Sequence, residues 1–122
     1  MTATILTVDD SASVRMAMRI ALAGAGYSVA EACDGADALA KARATRFDMI
    51  VTDLNMPRMD GLTMIREMRK LPNQAGVPIV FVTTESDAGI KAEAKAAGAT
   101  GWLVKPFQAD QIVRVAKKVL GR

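Results

Sequence analysis

Polar and charged residues stand directly behind several apolar runs of this sequence, at points where a β-strand would end. Asp9 and Asp10 follow the first run, and Asp53 follows another. Thr83 and Lys105 come after two further runs near the end of the chain. A buried carboxylate is costly unless a compensating charge lies nearby. These residues are therefore the first candidates for chemistry.

A divalent cation would explain this set of residues if the carboxylates of Asp9, Asp10 and Asp53 converge. Three neighbouring carboxylates repel one another and shift toward their protonated forms, and the one ammonium of Lys105 cannot balance them. The chain has no histidine and a single cysteine, so the ligands would be oxygen atoms, which suit a hard ion such as Mg2+. Asp10 alone can equally be a helix cap.

Metal-bound carboxylates beside an ammonium and a hydroxyl suit a phosphoryl group. The sequence has neither the Walker pattern G-x-x-x-x-G-K-[ST] nor G-x-G-x-x-G, so it shows no recognisable nucleotide cradle. One of the carboxylates is then the acceptor, and Asp53, alone at its strand end, is best placed to attack. Thr83 can also be a strand residue and nothing more, and Lys105–Pro106 can be a simple turn.

Five strand segments must position these residues. Near-continuous, β-branched runs predict strands buried on both faces of a sheet, and a more polar second segment predicts an edge strand. The predicted strands are Thr4–Val8, Tyr27–Glu31, Phe47–Thr52, Val77–Val82 and Thr100–Val104.

Helical patterns fill the intervals between the strands. Ser11, Asp34 and Asp60 are predicted N-caps, whereas Pro72 and Gly98 are predicted helix stops. The predicted helices span residues 12–25, 34–45, 61–71, 87–97 and 109–120.

This alternation of strand and helix predicts an α/β fold, a doubly wound (βα)5 arrangement with helices on both faces of a five-stranded parallel sheet. Right-handed crossovers place the C-terminal end of every strand at one edge, where ligands bind in such folds. The candidate residues therefore meet at that edge. We expect residues 1–122 to form a single domain.

Composition excludes several functions. The lack of histidine rules out a Ser-His-Asp hydrolase, a Cys-His protease and a histidine-ligated metal site. The lone Cys33 cannot form an internal disulfide, which favours the cytoplasm. The net charge of +3 comes without a block of five or more like charges, and no apolar run is long enough to span a bilayer. Neither nucleic acid nor a membrane is an expected partner.

Four motifs resemble those of the receiver domain of bacterial two-component response regulators. They are VDDS at Val8–Ser11, DLNMPRMDG at Asp53–Gly61, VTTESD at Val82–Asp87 and AGATGWLVKPF at Ala97–Phe107. The resemblance covers essentially the whole chain in the right order. It implies the flavodoxin-like strand order 2-1-3-4-5 and a regulatory phosphoacceptor, not an enzyme, that catalyses only its own phosphorylation and dephosphorylation.

The resemblance implies a role for each acidic residue. Asp53 would accept a phosphoryl group from the phosphohistidine of a separate sensor histidine kinase. Asp10 and Asp53 would coordinate Mg2+ directly, together with the backbone carbonyl of Asn55. Asp9 would hold the ion through water.

The same resemblance assigns the neighbouring positions. Thr83 would turn its hydroxyl onto the phosphoryl group, and Lys105 would pair with a phosphoryl oxygen. The Lys105–Pro106 bond is similar to one that is cis in the family. Pro57 and Gly61 would shape the loop after the phosphorylation site.

Three further positions concern phosphoryl lifetime and switching. Asn55 and Glu85 match positions that line the water path to the phosphoryl group in the family, although they can also serve only as solvated loop residues. Trp102 matches a switch aromatic that is usually Tyr or Phe and swings inward when the residue at Thr83 moves. Because an indole is bulkier than a phenol, we expect a partial swing. A half-buried edge aromatic is the plainer interpretation of Trp102.

The chain ends after one helix beyond Lys105, which leads us to expect a stand-alone, monomeric receiver without an output domain. By resemblance, its output surface comprises the fourth helix, fifth strand and fifth helix. This surface would carry Lys91, Lys95, Trp102, Lys117 and Lys118. Stand-alone receivers with these motifs most resemble the chemotaxis regulator, which binds the flagellar motor switch protein and is dephosphorylated by a phosphatase.

Three alternatives remain open. The chain can be a phosphate sink or phosphorelay intermediate without contact to the motor. It can be a small Mg2+-dependent phosphohydrolase with an aspartyl nucleophile, although such enzymes usually need a second carboxylate where this chain has Asn55. It can also be a binding module that works without phosphorylation, against which the full acidic set argues.

Overall fold

The computed structural model describes residues 2–54, 59–83 and 88–121. Its strands form one five-stranded sheet in the order β2-β1-β3-β4-β5, and every neighbouring pair is parallel. The predicted order and the predicted edge position of β2 are thus confirmed. The strands are β1 Thr4–Val8, β2 Ser28–Ala32, β3 Met49–Asp53, β4 Ile79–Thr83 and β5 Gly101–Val104.

In the part of the chain that the structure describes, five α-helices and one short 3-10 helix follow the strands along the sequence. Among the described ranges, no helix combines the length and the hydropathy that crossing a membrane requires. The helices are α1 Ala12–Gly24, α2 Gly35–Ala44, α3 Gly61–Arg69, the 3-10 helix Pro72–Gln74, α4 Ala88–Ala97 and α5 Ala109–Leu120.

The sheet separates two apolar layers because successive strand residues point to opposite faces. Ile5 packs with α1 and α5 on one face, whereas Leu6 packs with α2, α3 and α4 on the other. The central strands β3 and β4 are buried along their whole length, as their continuous apolar runs predict. The two layers thus cover both faces of the sheet, whose C-terminal strand ends lie at one edge.

The predicted N-caps hold three of the helices at that edge. The side chains of Ser11, Asp34 and Asp60 each accept a hydrogen bond from a backbone N–H in the first turn of α1, α2 and α3, respectively. Such a bond satisfies a donor that the helix itself leaves unpaired. The helices therefore begin immediately beside the strand ends that carry the candidate residues.

Several predicted boundaries were wrong. Strand β4 begins at Ile79 rather than Val77, because Pro78 has no N–H to give to the sheet. Strand β2 lies one residue later than predicted, and β3 begins at Met49 and includes Asp53.

Helix α3 ends at Arg69 rather than Leu71, and the predicted stop at Pro72 instead begins the 3-10 helix. The buried side chain of Gln74 in that short helix donates to the backbone carbonyls of Ala42 and Thr45 at the end of α2. These tertiary hydrogen bonds fix the connection between α3 and β4, and local sequence patterns do not reveal them.

Candidate functional site

The two buried candidate carboxylates come from neighbouring strands. Asp9 directly follows β1, and Asp53 is the last residue of β3. The two strands are paired in the sheet up to Val8 and Thr52, so both aspartates emerge at the same edge. Asp53 shares a face of the sheet with Val51, which is the face covered by α1 and α5.

Three carboxylates converge there, as the sequence predicts. Oxygen atoms of Asp9, Asp10 and Asp53 all lie within 4.8 Å of one another. Asp9 is 0% exposed and Asp53 is 4% exposed, whereas Asp10 is open to solvent. An all-oxygen donor set with one accessible side fits a hard divalent cation such as Mg2+.

Lys105 lies against both buried carboxylates. Its Nζ is 2.9 Å from Oδ2 of Asp53 and 3.2 Å from Oδ2 of Asp9. Burial lowers the pKa of Lys105, but its hydrogen bonds and charge interactions with Asp53 and Asp9 outweigh this, and the pKa is raised overall. Lys105 is therefore a permanent cation in this site, and it offsets only part of the negative charge.

Burial also acts on Asp9. It raises the pKa of Asp9 above its ordinary value, although the N–H of Ser11 and the charge of Lys105 pull in the opposite direction. The N–H of Ser11 donates to Oδ1 of Asp9 at 2.9 Å, and the N–H of Asp9 donates to the carbonyl of Ala32 at 3.2 Å. Both the backbone and the carboxylate of Asp9 are thus held in place.

Arg15 makes contacts with the site that could not be predicted from the sequence. From the first turn of α1, its Nη1 donates to the backbone carbonyl of Asp9 at 2.5 Å. Its Nε lies 3.4 Å from Oε1 of Glu31 on β2. The only signal in the sequence is a basic residue one helical turn after the predicted cap Ser11, and this pattern is too common to indicate a contact.

Gly61 occupies a position where the start of α3 approaches the end of β3 closely. A Cβ atom at this residue would lie 2.4 Å from the backbone oxygen of Asp53 and 2.6 Å from the Cα of Leu54. The N–H of Gly61 donates to the carbonyl of Leu54 at 2.9 Å. The structure thus gives a steric reason for glycine directly beside Asp53.

Thr83 and Lys105 lie at the ends of the next two strands. Thr83 is 1% exposed, and its backbone oxygen accepts a hydrogen bond of 2.8 Å from the N–H of Lys105. The peptide bond between Lys105 and Pro106 is cis, as the resemblance implies. The structure therefore brings Thr83, Lys105 and Pro106 to the edge that carries the carboxylates.

Trp102 lies farther from the carboxylates, on the edge strand β5. It pairs with Phe81 in the sheet and stacks on that ring with centroids 6.3 Å apart. The indole is 47% exposed, so its placement matches that of a half-buried edge aromatic. Because residues two apart on a strand share a face, Thr83 and Trp102 lie on the same side of the sheet. The remaining predicted site residues, Asn55, Pro57 and Glu85, lie outside the described residues.

Comparison with known proteins shows what this chain resembles. Residues 5–117 match the response regulator receiver domain. The chemotaxis protein CheY of Bacillus subtilis is 37% identical over 117 residues, which cover 95% of this chain and 96% of that protein. The chain spans only part of other curated relatives, namely 50% of one transcriptional regulatory protein and 26% of another.

Many solved structures are also similar, including the following two. The chemotaxis protein CheY4 of Vibrio cholerae has a TM-score of 0.95 and 44% identity, covering 98% of this chain and 100% of that one. The receiver domain of the sensor histidine kinase PA1611 of Pseudomonas aeruginosa, crystallised with a magnesium ion in its active site cleft, has a TM-score of 0.90, 30% identity and full coverage of both chains. This chain therefore belongs to the family of response regulator receiver domains.

Proposed function

We propose that the Asp53 carboxylate accepts a phosphoryl group from the phosphohistidine of a sensor histidine kinase in a Mg2+-dependent reaction. The observation that carries this proposal is the contact of one ammonium, Lys105 Nζ, with the carboxylates of both Asp53 and Asp9, at 2.9 Å and 3.2 Å. The three carboxylates and this cation form a site in which a phosphoryl group can be neutralised on several sides.

Asp10 and Asp53 would hold Mg2+ directly with the backbone carbonyl of Asn55, and Asp9 would hold it through water. Bound Mg2+ would offset the negative charge that the phosphoryl oxygens bring into the site. The convergence of Asp9, Asp10 and Asp53 within 4.8 Å supports this assignment. So does the magnesium ion that the PA1611 receiver domain contains.

Phosphoryl transfer requires Asp53 to act as the nucleophile. A carboxylate oxygen of Asp53 forms a bond to phosphorus while the bond from phosphorus to the imidazole nitrogen of the donor breaks, and the imidazole leaves with the electron pair. The product on this chain is an acyl phosphate. Lys105, already at hydrogen-bond distance from Asp53, then pairs with a phosphoryl oxygen. The chain itself acts as a regulatory phosphoacceptor.

The phosphorylated state would be sensed through Thr83. Its hydroxyl would turn toward the phosphoryl group, and the space it leaves would draw the Trp102 ring inward on the same face of the sheet. The bulk of the indole limits that swing. We further propose that Asn55 and Glu85 set the rate at which water hydrolyses the acyl phosphate.

A phosphorylation assay tests the central assignment. A small phosphoramidate with Mg2+ should add one phosphate to the wild-type chain, measured by intact-protein mass spectrometry, and none to Asp53→Ala. Asp110→Ala, which removes an exposed carboxylate on α5, should be modified like the wild type. An unmodified wild type, or a modified Asp53→Ala, would show that Asp53 is not the acceptor.

The output of the phosphorylated form is proposed to be chemotaxis, through binding of the flagellar motor switch protein in the cytoplasm, with a phosphatase ending the signal. Similarity to CheY and CheY4 over nearly the whole length of each protein favours this output. The surface would be that of α4, β5 and α5, which carries Trp102 and four lysines. Those lysines are Lys91, Lys95, Lys117 and Lys118.

Binding of purified motor switch protein to the receiver, measured with and without phosphorylation, tests this output. We expect tighter binding to the phosphorylated form and the same weak binding to Asp53→Ala in either condition. Equal affinity of the two wild-type forms would instead favour a phosphate sink or phosphorelay intermediate.

A further inference from the structure

The guanidinium group of Arg15 joins helix α1 to two neighbouring strand ends. Its Nη1 donates to the backbone carbonyl of Asp9 at 2.5 Å, and its Nε contacts the carboxylate of Glu31 at 3.4 Å. The Arg15 side chain is only 18% exposed. We propose that Arg15 is a positioning residue, which fixes the peptide between Asp9 and Asp10 so that the Asp10 carboxylate is held ready for a divalent cation. This inference rests on the proposed function.

The peptide between Asp9 and Asp10 matters because it is one rigid plane. The carbonyl that Arg15 binds and the N–H of Asp10 belong to the same planar group, so a rotation of that carbonyl would redirect the Asp10 side chain. Asp10 is exposed, and its direction therefore depends on its backbone more than on packing. A hydrogen bond from a charged donor is stronger than a neutral one, which suits it to hold such a plane.

The other atoms of Asp9 are fixed independently of Arg15. Its N–H is bonded to the carbonyl of Ala32, its Oδ1 accepts from Ser11, and its Oδ2 contacts Lys105. Arg15 thus supplies the restraint on the C-terminal side of Asp9, where the chain turns toward Asp10. Loss of this restraint should affect Asp10 more than Asp9.

An arginine suits this position better than a lysine. Its rigid fork can donate to the Asp9 carbonyl from Nη1 while Nε faces Glu31, whereas one flexible ammonium cannot reproduce both directions. The carboxylate of Glu31 also offsets part of the positive charge that Arg15 would otherwise present to an incoming cation.

Arg19 provides a matched control on the same helix. It lies one turn after Arg15, and its Nη1 donates to Oε2 of the same Glu31 at 2.9 Å. Within the part of the chain that the structure describes, Arg19 makes no hydrogen bond to Asp9. The two arginines therefore share a partner and differ in their contact with the metal-site backbone.

The decisive measurement is the dissociation constant of Mg2+ by titration calorimetry for the wild type, Arg15→Gln, Arg15→Lys and Arg19→Gln. We expect about tenfold weaker binding for Arg15→Gln, as is typical when an outer partner of a metal ligand is removed, partial recovery for Arg15→Lys, and wild-type affinity for Arg19→Gln. Equal losses for the two glutamine variants would overturn the proposal, because both remove an ion pair with Glu31.

A second measurement uses the metal-free protein. Amide 15N relaxation should show increased motion at Asp10 in Arg15→Gln and not in Arg19→Gln; an unchanged Asp10 amide would overturn the positioning role. If Arg15→Gln does not fold, Arg15→Lys is compared in its place. Failure of the wild type to bind Mg2+ would refute the proposed metal site, whereas the relaxation data would still decide whether Arg15 holds the peptide.

Discussion

The ammonium nitrogen of Lys91 lies 4.7 Å from the centroid of the Trp102 ring. A cation over an aromatic face is attracted by roughly 0.5–1 kcal/mol at an exposed site. The Trp102 ring also stacks on Phe81, whose ring centroid is 6.3 Å away. Helix α4 thus contributes to holding the indole in its half-exposed position on β5.

Replacing Lys91 should therefore ease the inward movement of Trp102. Lys91→Met keeps most of the side-chain length and removes the charge. The half-exposed position of the indole therefore loses about 0.5–1 kcal/mol of stabilisation. Trp102 is the only tryptophan, and its fluorescence reports this change directly. We expect the emission of unphosphorylated Lys91→Met to move toward that of the phosphorylated wild type.

Lys95→Met is the control for this experiment. Lys95 lies one turn farther along α4 and is exposed, so its replacement changes the net charge equally. The Trp102 emission of Lys95→Met should equal that of the wild type. An unchanged spectrum for Lys91→Met as well would show that stacking on Phe81 alone holds the indole.

A side chain at Gly61 should destabilise the protein. In Gly61→Ala the new Cβ would meet the backbone oxygen of Asp53, at 2.4 Å in the present geometry. The end of β3 would have to shift, which we expect to cost about 1–3 kcal/mol of unfolding free energy and to slow phosphorylation of Asp53. Urea denaturation and the phosphoramidate assay measure the two effects.

Gly24→Ala is the matched substitution. A Cβ at Gly24, the last residue of α1, would meet nothing within 4 Å. Because alanine favours a helix over glycine by up to about 1 kcal/mol, this variant should be at least as stable as the wild type and react normally. Similar losses in both variants would contradict the steric role of Gly61.

Much of the fold could be predicted from the sequence because local signals agree with one another. The continuous apolar runs around Ile50 and Val80 indicate buried parallel strands, and side chains such as Asp34 cap the helices as expected. Boundaries were less predictable where tertiary contacts decide them, as at Gln74, whose buried amide joins the 3-10 helix to α2.

The convergence of Asp9, Asp53 and Lys105 was predictable for a topological reason. Parallel strands place their C-terminal ends at one edge, so residues at those ends meet whatever the details of packing. The contacts of Arg15 with Asp9 and of Lys91 with Trp102 depend on how α1 and α4 are rotated against the sheet. No motif in the sequence encodes that rotation.

Asp10 should lower the stability of the metal-free protein. It adds a third carboxylate within 4.8 Å of Asp9 and Asp53, so Asp10→Asn relieves repulsion. We expect a melting temperature a few degrees higher in chelator, as about 1 kcal/mol would give. The gain in melting temperature on adding Mg2+ should largely disappear, because stabilisation by a ligand depends on its affinity.

The control for Asp10→Asn is Asp110→Asn, which removes an exposed carboxylate that pairs with Arg114 on α5. The melting temperature of Asp110→Asn, measured in chelator and in Mg2+, should rise on adding the ion by as much as that of the wild type. If Asp10→Asn gains as much from Mg2+ as the wild type does, Asp10 is not a ligand.

Asp9 should make the stability of the metal-free protein depend on pH. Burial raises the pKa of Asp9, so its contribution to stability is fully present below the pKa of the unfolded chain and is lost as the pH rises through the folded pKa. In chelator, the unfolding free energy of the wild type minus that of Asp9→Asn should therefore decrease as the pH rises through this window. Urea denaturation from about pH 3 to pH 7 covers the ordinary carboxyl range.

The contribution of Asp37 to stability should change with pH in the opposite direction to that of Asp9, measured by the same urea denaturation. Burial alone would raise its pKa, but the N–H of Cys33 and the charge of Lys41 outweigh that effect, and the pKa is lowered. Its stabilising contribution is present above the unfolded pKa and is lost as the pH falls through the folded one. The unfolding free energy of the wild type minus that of Asp37→Asn should thus increase with pH. Parallel curves for Asp9→Asn and Asp37→Asn would contradict the distinct environments of these two carboxylates.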